Sequence, residues 1–435
     1  MSLVTSFVVF LQPLSVVMTC PSFGNAMTLL AGWVFARRRT ITGMIAAAGA
    51  VGLKHHSTFH RLFASARWSL DRAGLVVFDL MSPWLGDTVL LAGDDTLARK
   101  RGLKMFGVGM HHDPLLSSRG KAITNWGHSW VVLGVVLRFS LWPERAFCLP
   151  ILFRLYLNKK SAARDRRVYR TRPELLVEML TLLCQARKTR RFHLIADSAY
   201  GGQSVLNHLP AHCDLTSRLV LDARLYGPPP GRVPGRNGRP RKRGPQLPTP
   251  AGMLQKQAAR ADLKIYGRQD RVRMCDAVGS VHAAPDCLLR IVAVEPLVGG
   301  RTKQAFYSTC HQATAIEVLT WYAWRWSIEV AFHDSKQSLG FEEPQGWTRR
   351  AVQRTAPVAM LLYSLIVLWF VREGHHHYRP LTRPWYTTKA EPSFADMLGT
   401  VRRCSLREQV SSWGLGGPGS RKVLELLENT AALAA

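Results

Sequence analysis

The stretch from 321 to 346, WYAWRWSIEVAFHDSKQSLGFEEPQG, carries the most informative pattern in the sequence. It has helical periodicity, and Tyr322, Arg325, Glu329 and Lys336 follow one another at intervals of three, four and seven residues. At 100° per residue, these four side chains fall within an arc of about 60° on a helix. One carboxylate would then lie in a cationic and phenolic stripe, where it could hold a metal ion beside a bound phosphate. An exposed helix face with ordinary ion pairs has the same pattern, so the spacing alone leaves both interpretations open.

Two other acidic positions follow strongly apolar runs. In LLAGDDTLARK, Asp94 and Asp95 end a predicted strand, and in FHLIADSAYGG, Asp197 ends another. Divalent-metal chemistry on phosphodiesters needs carboxylates that converge from separate elements, so these acids are candidate metal ligands. Each one alone is more often an ordinary turn or helix-cap residue. Glu342 and Glu343 are further acids close to the predicted helix, and we rank them below Glu329.

The charge balance indicates a polyanionic partner. Lysine and arginine number 58 against 29 aspartate and glutamate, which gives a net charge of +29. The hydrophobic fraction of 47% is ordinary for a globular chain and excludes a disordered or collagen-like protein. A folded chain this basic repels itself, and the phosphates of a nucleic acid would neutralise it. An unusually basic soluble protein is the alternative.

Neither cysteine spacing nor hydropathy predicts a zinc scaffold, a disulfide framework or a membrane protein. The eight cysteines are scattered without a C-x-x-C pair, which favours a reducing compartment. The apolar start at 3–18 lacks a basic leader and contains Gln12 and Pro13, so we expect a helix packed on protein rather than a signal peptide. The apolar run at 358–371 is shorter than the roughly 20 residues that span a bilayer, so we expect a buried core helix and no membrane contact.

The order of predicted elements indicates an α/β fold. Short helical stretches with basic clusters come first, and they suggest either a module that contacts DNA or a plain helical cap. Strands and one helix follow, and two long helices are predicted at 314–339 and 351–372. The predicted segments are a mainly helical one at 1–85, a mixed one at 86–214, a strand-rich one at 215–309, a helical one at 310–375 and an irregular one at 376–435.

A basic loop predicted at 228–250 is rich in proline and has no acidic residue. It contains GRNGRPRKRG, whose extended Gly-Arg-Pro core could lie in a narrow, A·T-rich minor groove where negative potential is concentrated. A basic linker that contacts any phosphate is at least as good an interpretation. The candidate DNA-contacting residues of this loop are Arg239, Arg241, Lys242 and Arg243.

The spacing Y-x2-R-x3-E-x6-K that begins at Tyr322 resembles the signature of a large group of bacterial insertion-sequence transposases in the DDE superfamily. The D-D-T at 94–96 is similar to the first aspartate motif of that group, and A-D-S-A-Y-G at 196–201 is similar to its second. The order and wide separation of the three motifs agree as well. The resemblance extends over roughly residues 25–405.

This resemblance implies an RNase H-like catalytic core with a mostly β insertion at 215–309, an N-terminal helical module and a C-terminal tail. Asp94, Asp197 and Glu329 would bind two Mg²⁺ ions, which Mn²⁺ could replace, and the D-x-T motif favours Asp94 over Asp95. The metals would activate water to cut a phosphodiester at the element end, and then the freed 3′ hydroxyl to attack again.

The same resemblance implies a hairpin on the released DNA end, with one base flipped out of the stack. Extruding a base costs a few kcal/mol, which stacking on an aromatic side chain would offset. Tyr322, Arg325 and Lys336 would hold the phosphates around that nucleotide. Which aromatic side chain would receive the base stays open; Trp324 faces away from the arc of the four signature residues, and Trp326 borders it.

The predicted partners are double-stranded DNA and a second copy of the chain. The DNA would be the terminal inverted repeats of the element and its target, and a homodimer on paired ends would supply two active sites, with 376–435 as a candidate interface. We expect the protein in the bacterial cytoplasm, associated with the nucleoid. Two alternatives stay open: a metal-dependent nuclease of the same fold without strand transfer, and a non-catalytic DNA-binding protein derived from a transposase.

Overall fold

The computed structural model describes residues 2–113, 116–118, 120–230, 243–265, 268–282, 284–297, 302–380 and 391–413. Its fold is mixed α/β, which confirms the prediction of fold class at that level. The described helices are α1 (Thr5–Leu11), α2 (Cys20–Phe35), α3 (Ile41–Ala47), α4 (His56–Ala64), α5 (Leu70–Leu80), α6 (Lys159–Arg164), α7 (Arg172–Ala186), α8 (Gln203–Leu206), α9 (Pro250–Gln257), α10 (Ala315–Trp324), α11 (Trp326–Leu339), α12 (Arg349–Arg372) and α13 (Phe394–Ser412).

One large mixed sheet organises the described residues. Its strands are β1 (Thr88–Arg99), β2 (Gly109–His112), β3 (Thr124–Phe139), β4 (Trp142–Tyr156), β5 (Arg191–Ala196), β6 (Cys213–Leu219), β7 (Leu225–Tyr226), β8 (Gln246–Leu247), β9 (Ala259–Ile265), β10 (Arg268–Val281), β11 (Ala284–Pro296) and β12 (Gln304–Ser308). The strand order is β2-β3-β1-β5-β6-β12-β11-β10-β7-β8, with β4 paired to β3 and β9 paired to β10.

Strand β1 lies inside the sheet, between β3 and β5. It runs antiparallel to β3 and parallel to β5. The sequence predicts that the strand ends at Asp94 and Asp95, but β1 continues to Arg99, which pairs with Gly127. The prediction is wrong because strand pairing with β3 holds the chain extended beyond the apolar run. Both aspartates therefore lie within a strand, and their side chains must point to opposite faces of the sheet.

Helix α12 packs against β4 and lies in the core of the protein. Of the helices in the described ranges, it is the one long and apolar enough to cross a membrane, yet 89% of its apolar window is buried within the protein. Ser364, near its middle, donates a hydrogen bond to the carbonyl of Pro150 on β4 at 2.9 Å. This burial fits the core helix that the short apolar run predicts.

The apolar start of the chain packs against the same core. Phe7 and Leu11 of α1 are fully buried. The ring of Phe7 lies 5.6 Å from that of Trp369 on α12. Further along, the indole of Trp33 on α2 donates to the carbonyl of Leu339 at 2.8 Å, which fixes the end of α11. The N-terminal helices thereby help to position the helix that carries Glu329.

Candidate active site

Asp94 points to the face of the sheet that α11 covers. Gly93, its neighbour on β1, faces the other way, because a Cβ atom there would lie 2.7 Å from Leu176 of α7. Side chains alternate along a strand, so Asp94 lies on the face opposite α7 and Asp95 lies on the α7 side.

Asp197 follows the last residue of β5, beside Asp94. The parallel pairing of β1 with β5 ends at Gly93 opposite Ala196, and the next residues along the two strands are Asp94 and Asp197. Because register-matched residues share a face, both carboxylates belong to the same side of the sheet. Asp197 has extended backbone angles and accepts a hydrogen bond from the amide of Ala199 at 2.9 Å. It thus caps the turn after β5 as well as facing the site.

Glu329 reaches Asp94 through a shared arginine. The guanidinium of Arg325 donates to Oδ2 of Asp94 and to Oε1 of Glu329, each at 2.8 Å. The Arg325 and Asp94 side chains are 14% and 16% exposed, so this bridge is largely shielded from water. One guanidinium therefore joins an acid of the sheet to an acid of α11.

The pKa of the Asp94 carboxyl differs strongly from its ordinary value. Burial raises the pKa of its carboxyl to about 7, and the nearby carboxylates of Asp197 and Asp95 add to this rise. Arg325 opposes the shift, as does the hydrogen bond from the Asp95 amide. Acids gathered in a partly buried site would be stabilised by more positive charge than Arg325 alone provides.

The helix predicted at 314–339 is two helices that meet at Arg325. Helix α10 ends at Trp324 and α11 begins at Trp326, and the Arg325 amide donates to the carbonyl of Tyr322 rather than to that of Trp321, four residues back. The continuous-helix prediction is therefore wrong at this one residue. Arg325 keeps helical backbone angles. The break therefore leaves the helical spacing of side chains nearly unchanged, and the periodicity of the sequence does not reveal it.

Tyr322 and Lys336 flank this pair of acids in different ways. The Tyr322 ring packs against Phe306 with 4.5 Å between ring centroids, and the Arg325 guanidinium lies 5.6 Å from the Tyr322 ring centroid. Lys336 lies further along α11, where its ammonium donates to the carbonyl of Leu97 on β1 at 2.8 Å. Arg325, Glu329 and Tyr322 are thus adjacent, whereas Lys336 anchors α11 to the far end of β1.

A family model described as DDE superfamily endonuclease matches residues 25–276. The chain belongs to this family. The match contains Asp94, Asp95 and Asp197 and ends before Glu329, so the signature that begins at Tyr322 stays a prediction. No curated protein matches the chain. Membership confirms the prediction of a DDE-type nuclease, which implies a DNA substrate.

In this DDE endonuclease, Asp95 has its own set of partners, which the sequence analysis did not find. The Tyr200 hydroxyl donates to Oδ1 of Asp95 at 2.8 Å, and Nε of Arg172 lies 3.2 Å from Oδ2. Tyr200 is part of the A-D-S-A-Y-G motif, so that motif carried a usable signal. No sequence signal pointed to Arg172, because its contact with Asp95 of β1 depends on how α7 packs. These contacts favour a positioning role for Asp95 and leave Asp94 facing Glu329.

Glu342 and Glu343, the lower-ranked candidate acids of the DDE endonuclease, contact basic residues outside the candidate site. Glu343 accepts a hydrogen bond from the Arg39 amide and lies 3.7 Å from its guanidinium. Glu342 accepts from the amide of Arg99 at 3.3 Å and lies 3.7 Å from the Lys336 ammonium. Both acids therefore tie the end of α11 to neighbouring segments.

The basic loop of the DDE endonuclease lies mostly outside the described residues. Arg239, Arg241 and Lys242 fall there. Arg243 is described, and it donates to the carbonyl of His282 at 3.1 Å with its guanidinium 5.0 Å from the Tyr226 ring centroid. The minor-groove interpretation of this loop stays a prediction.

The candidate acids of the DDE endonuclease suit a hard divalent cation. Among the described residues, no three His, Cys, Asp or Glu side chains lie close enough together to hold a metal ion, and Arg325 supplies the positive charge between Asp94 and Glu329. Carboxylate oxygens are nevertheless the ligands that Mg²⁺ prefers. Family members generally use divalent metals. The carboxylate oxygens of these acids therefore suit such an ion in their chemistry.

Proposed function

We propose that this DDE endonuclease is a DNA transposase, which binds the ends of its own mobile element and catalyses metal-dependent cleavage and strand transfer. The observation that carries the proposal is the bridge from Arg325 to Asp94 and Glu329, with Asp197 in register beside Asp94. Acids from β1, from the residue after β5 and from α11 thereby lie on one face of the sheet. The net charge of +29 suits a long polyanionic substrate.

In this proposal Asp94, Asp197 and Glu329 hold two Mg²⁺ ions, and Mn²⁺ can replace them. Bound there, the ions would polarise the attacking oxygen and stabilise the leaving oxygen. Arg325 gives up its carboxylate partners and binds a DNA phosphate beside the cleaved bond, since a guanidinium pairs with phosphate as well as it does with carboxylate. Tyr322 and Lys336 hold neighbouring phosphates of a hairpin end.

The proposal includes a larger architecture. An RNase H-like core comprises 86–214 and 310–375, the insertion at 215–309 extends its sheet, and the N-terminal helices contact DNA. Two copies of the chain act on paired element ends, so that each cleaved end has its own active site. We place the protein with the bacterial nucleoid, where its DNA substrate is.

The first experiment measures cleavage of duplexes that carry the native element ends, by wild-type protein and by Glu329→Gln, with Mg²⁺ or with EDTA. We expect wild type to nick at the element boundary with Mg²⁺ alone. Glu329→Gln should bind with unchanged affinity and cut at least about 100-fold more slowly, because it loses a metal-binding charge while keeping its shape. Equal cutting by both proteins would remove Glu329 from the active site.

Asp94→Asn and Asp95→Asn form a matched pair for the same assay. The first should abolish cleavage, and the second should retain it, because Asp95 faces Tyr200 and Arg172 rather than Glu329. The reverse result, with both variants folded, contradicts the assignment. Joining of a labelled 3′ end to a second duplex separates a transposase from a nuclease that only cuts.

A further inference from the structure

A cleft of about 1100 Å³ runs along the edge of strand β4. Its walls are the turn between α4 and α5, the segment before α7, and the first turn of α12. Basic side chains dominate these walls, and we call this site the arginine cleft. The arginines of its walls are Arg166, Arg167, Arg170, Arg349, Arg350 and Arg354.

The carboxylates of the arginine cleft already have partners. Asp71 and Glu178 line it, and both bind Arg154 of β4, with each oxygen 2.8 Å from a guanidinium nitrogen. Glu178 also pairs with Arg170. Neither acid is therefore free to neutralise the remaining arginines.

Four exposed arginines of the cleft lack a carboxylate partner. In the ranges that the structure describes, Arg166, Arg167, Arg349 and Arg350 form no ion pair, and all four are exposed. Asp165, the nearest acid in sequence to two of them, is bound by Arg164 at 3.0 Å, and the charge of Arg167 acts on it without forming an ion pair. This cluster of like charges needs an anion from outside the chain.

Two of these arginines stand where positive charge weakens a helix. Arg349 and Arg350 open α12, whose first turn has no acidic residue, and the positive end of the helix dipole lies there. Burial lowers the pKa of the Arg349 guanidinium, and the charges of Arg167 and Arg350 lower it further. Residues that cost stability in this way are typical of a binding surface.

The arginine cleft lies at the same end of the sheet as the candidate active site. Strands β1 and β4 run in the same direction, because each is antiparallel to β3. Asp95 pairs with Val131 and Val131 pairs with Arg154, so Arg154 is in the same row, two strands away, and on the α7 face with Asp95. Two strand spacings correspond to about 10 Å. Asp94 and Glu329 lie on the other face, so one DNA molecule reaches both places by passing over the β4 edge of the sheet.

The aromatic rings that line the cleft are buried or half-buried. Trp68, Trp130 and Phe153 are only 7%, 1% and 3% exposed, and Phe106 is half-buried. Proteins that bind unpaired nucleotides stack the bases on exposed rings, and none of the described residues that line this cleft offers one. Arginines without such rings suit the sugar-phosphate backbone of a duplex.

We propose that the arginine cleft binds the phosphate backbone of the DNA duplex where it continues beyond the active site. The identity of this anion rests on the proposed function, but the cleft contributes to binding and not to the chemical step. The bound duplex neutralises Arg167, Arg349 and Arg350 and removes their mutual repulsion.

The test compares a cleft variant, Arg167→Ser/Arg349→Ser/Arg350→Ser, with wild type. The affinity for a duplex with about 20 base pairs on each side of the element boundary is measured by fluorescence anisotropy over a series of salt concentrations in EDTA. Loss of three phosphate contacts should reduce the slope of log Kd against log salt by about 2.7 and weaken binding on the order of 100-fold near physiological salt.

A matched control removes the same charge from the opposite end of the sheet. The control variant is Lys188→Ser/Arg190→Ser/Arg191→Ser, whose positions lie at and just before the start of β5. It should change the slope of log Kd against log salt by less than one. Equal slopes for the two triple variants would overturn the proposal. The cleft variant should melt at the same temperature as wild type or higher, and a lower melting temperature would contradict the claim that its arginines cost stability.

Two shorter duplexes, each cut back on one side of the boundary, locate the bound segment. Truncation on the side that enters the arginine cleft should abolish the difference between wild type and the cleft variant. A difference that survives both truncations shows that the cleft does not follow DNA from the active site, and the proposal is then wrong. Absence of Mg²⁺-dependent cleavage with the slope change intact overturns the proposed function alone.

Discussion

Replacing Arg325 by methionine tests whether its guanidinium is the counter-ion that joins two acids of the candidate site. The side chain is 14% exposed and lies 2.8 Å from oxygens of both Asp94 and Glu329. Methionine is unbranched and adaptable in volume but carries no charge. The variant therefore leaves Asp94, Glu329 and Asp197 together without their cation.

The expected loss of folding stability in Arg325→Met follows from the exposure of Asp94 and Glu329. Removing one partner of a buried ion pair costs about 3–5 kcal/mol, because the remaining charge is buried and unpaired. Asp94 is 16% exposed and Glu329 is 35% exposed, so water screens Glu329 and the lower figure of about 3 kcal/mol applies. For 435 residues the unfolding entropy is about 0.9 kcal/mol/K, so the melting temperature should fall by about 3 °C.

Thermal melting in EDTA and with Mn²⁺, without DNA, provides the assay. A cation at 100 times its Kd stabilises the folded state by about 2.7 kcal/mol, so Mn²⁺ should restore most of the loss in Arg325→Met. Mn²⁺ should stabilise wild type less than it stabilises Arg325→Met, because in wild type Arg325 competes for the same carboxylates. Arg154→Met is the matched control: Arg154 also bridges two acids, and Mn²⁺ should not rescue it because Arg170 still pairs with one of them.

Two outcomes would refute this reasoning. A fall of less than about 1 °C in EDTA means that the bridge contributes little to stability. An equal fall in the Asp94→Asn background means that the loss does not come from the carboxylate, since asparagine carries no charge for Arg325 to neutralise. Rescue of both arginine variants by Mn²⁺ would show that the metal acts elsewhere.

Two further predictions concern the fold. Gly32→Ala should lower the melting temperature by about 3 °C, because its Cβ would lie 1.9 Å from the Met44 carbonyl oxygen, whereas Gly24→Ala in the same helix, with nothing within 4 Å, should be neutral or raise it by up to about 1 °C. Burial lowers the pKa of His193 to about 4, below the value near 6.5 of an unfolded chain, so the unfolded state binds a proton first and stability falls as pH drops from about 6.5 to 4. His193→Gln should therefore melt closer to wild type at pH about 4.5 than at pH about 7, and a constant difference between the two proteins would contradict this.

Local patterns determined the elements that carry the candidate site. Apolar runs of Val, Leu, Ile and aromatic residues predicted β1 and β5, and the spacing from Tyr322 to Lys336 predicted a helix that presents Glu329 beside Arg325. These features depend on neighbours in sequence, so they can be found without a structure. The same holds for the net charge of +29 and its implied polyanionic partner.

Contacts between distant segments were decided by the tertiary structure alone. The length of β1 beyond Asp95 depends on its pairing with β3, and the partners of Asp95 depend on the position of α7. The arginine cleft joins Arg167 to Arg349, which are far apart in the chain and share no pattern. Sequence periodicity shows which residues share a face of one element, but which elements meet is set by packing of the whole core.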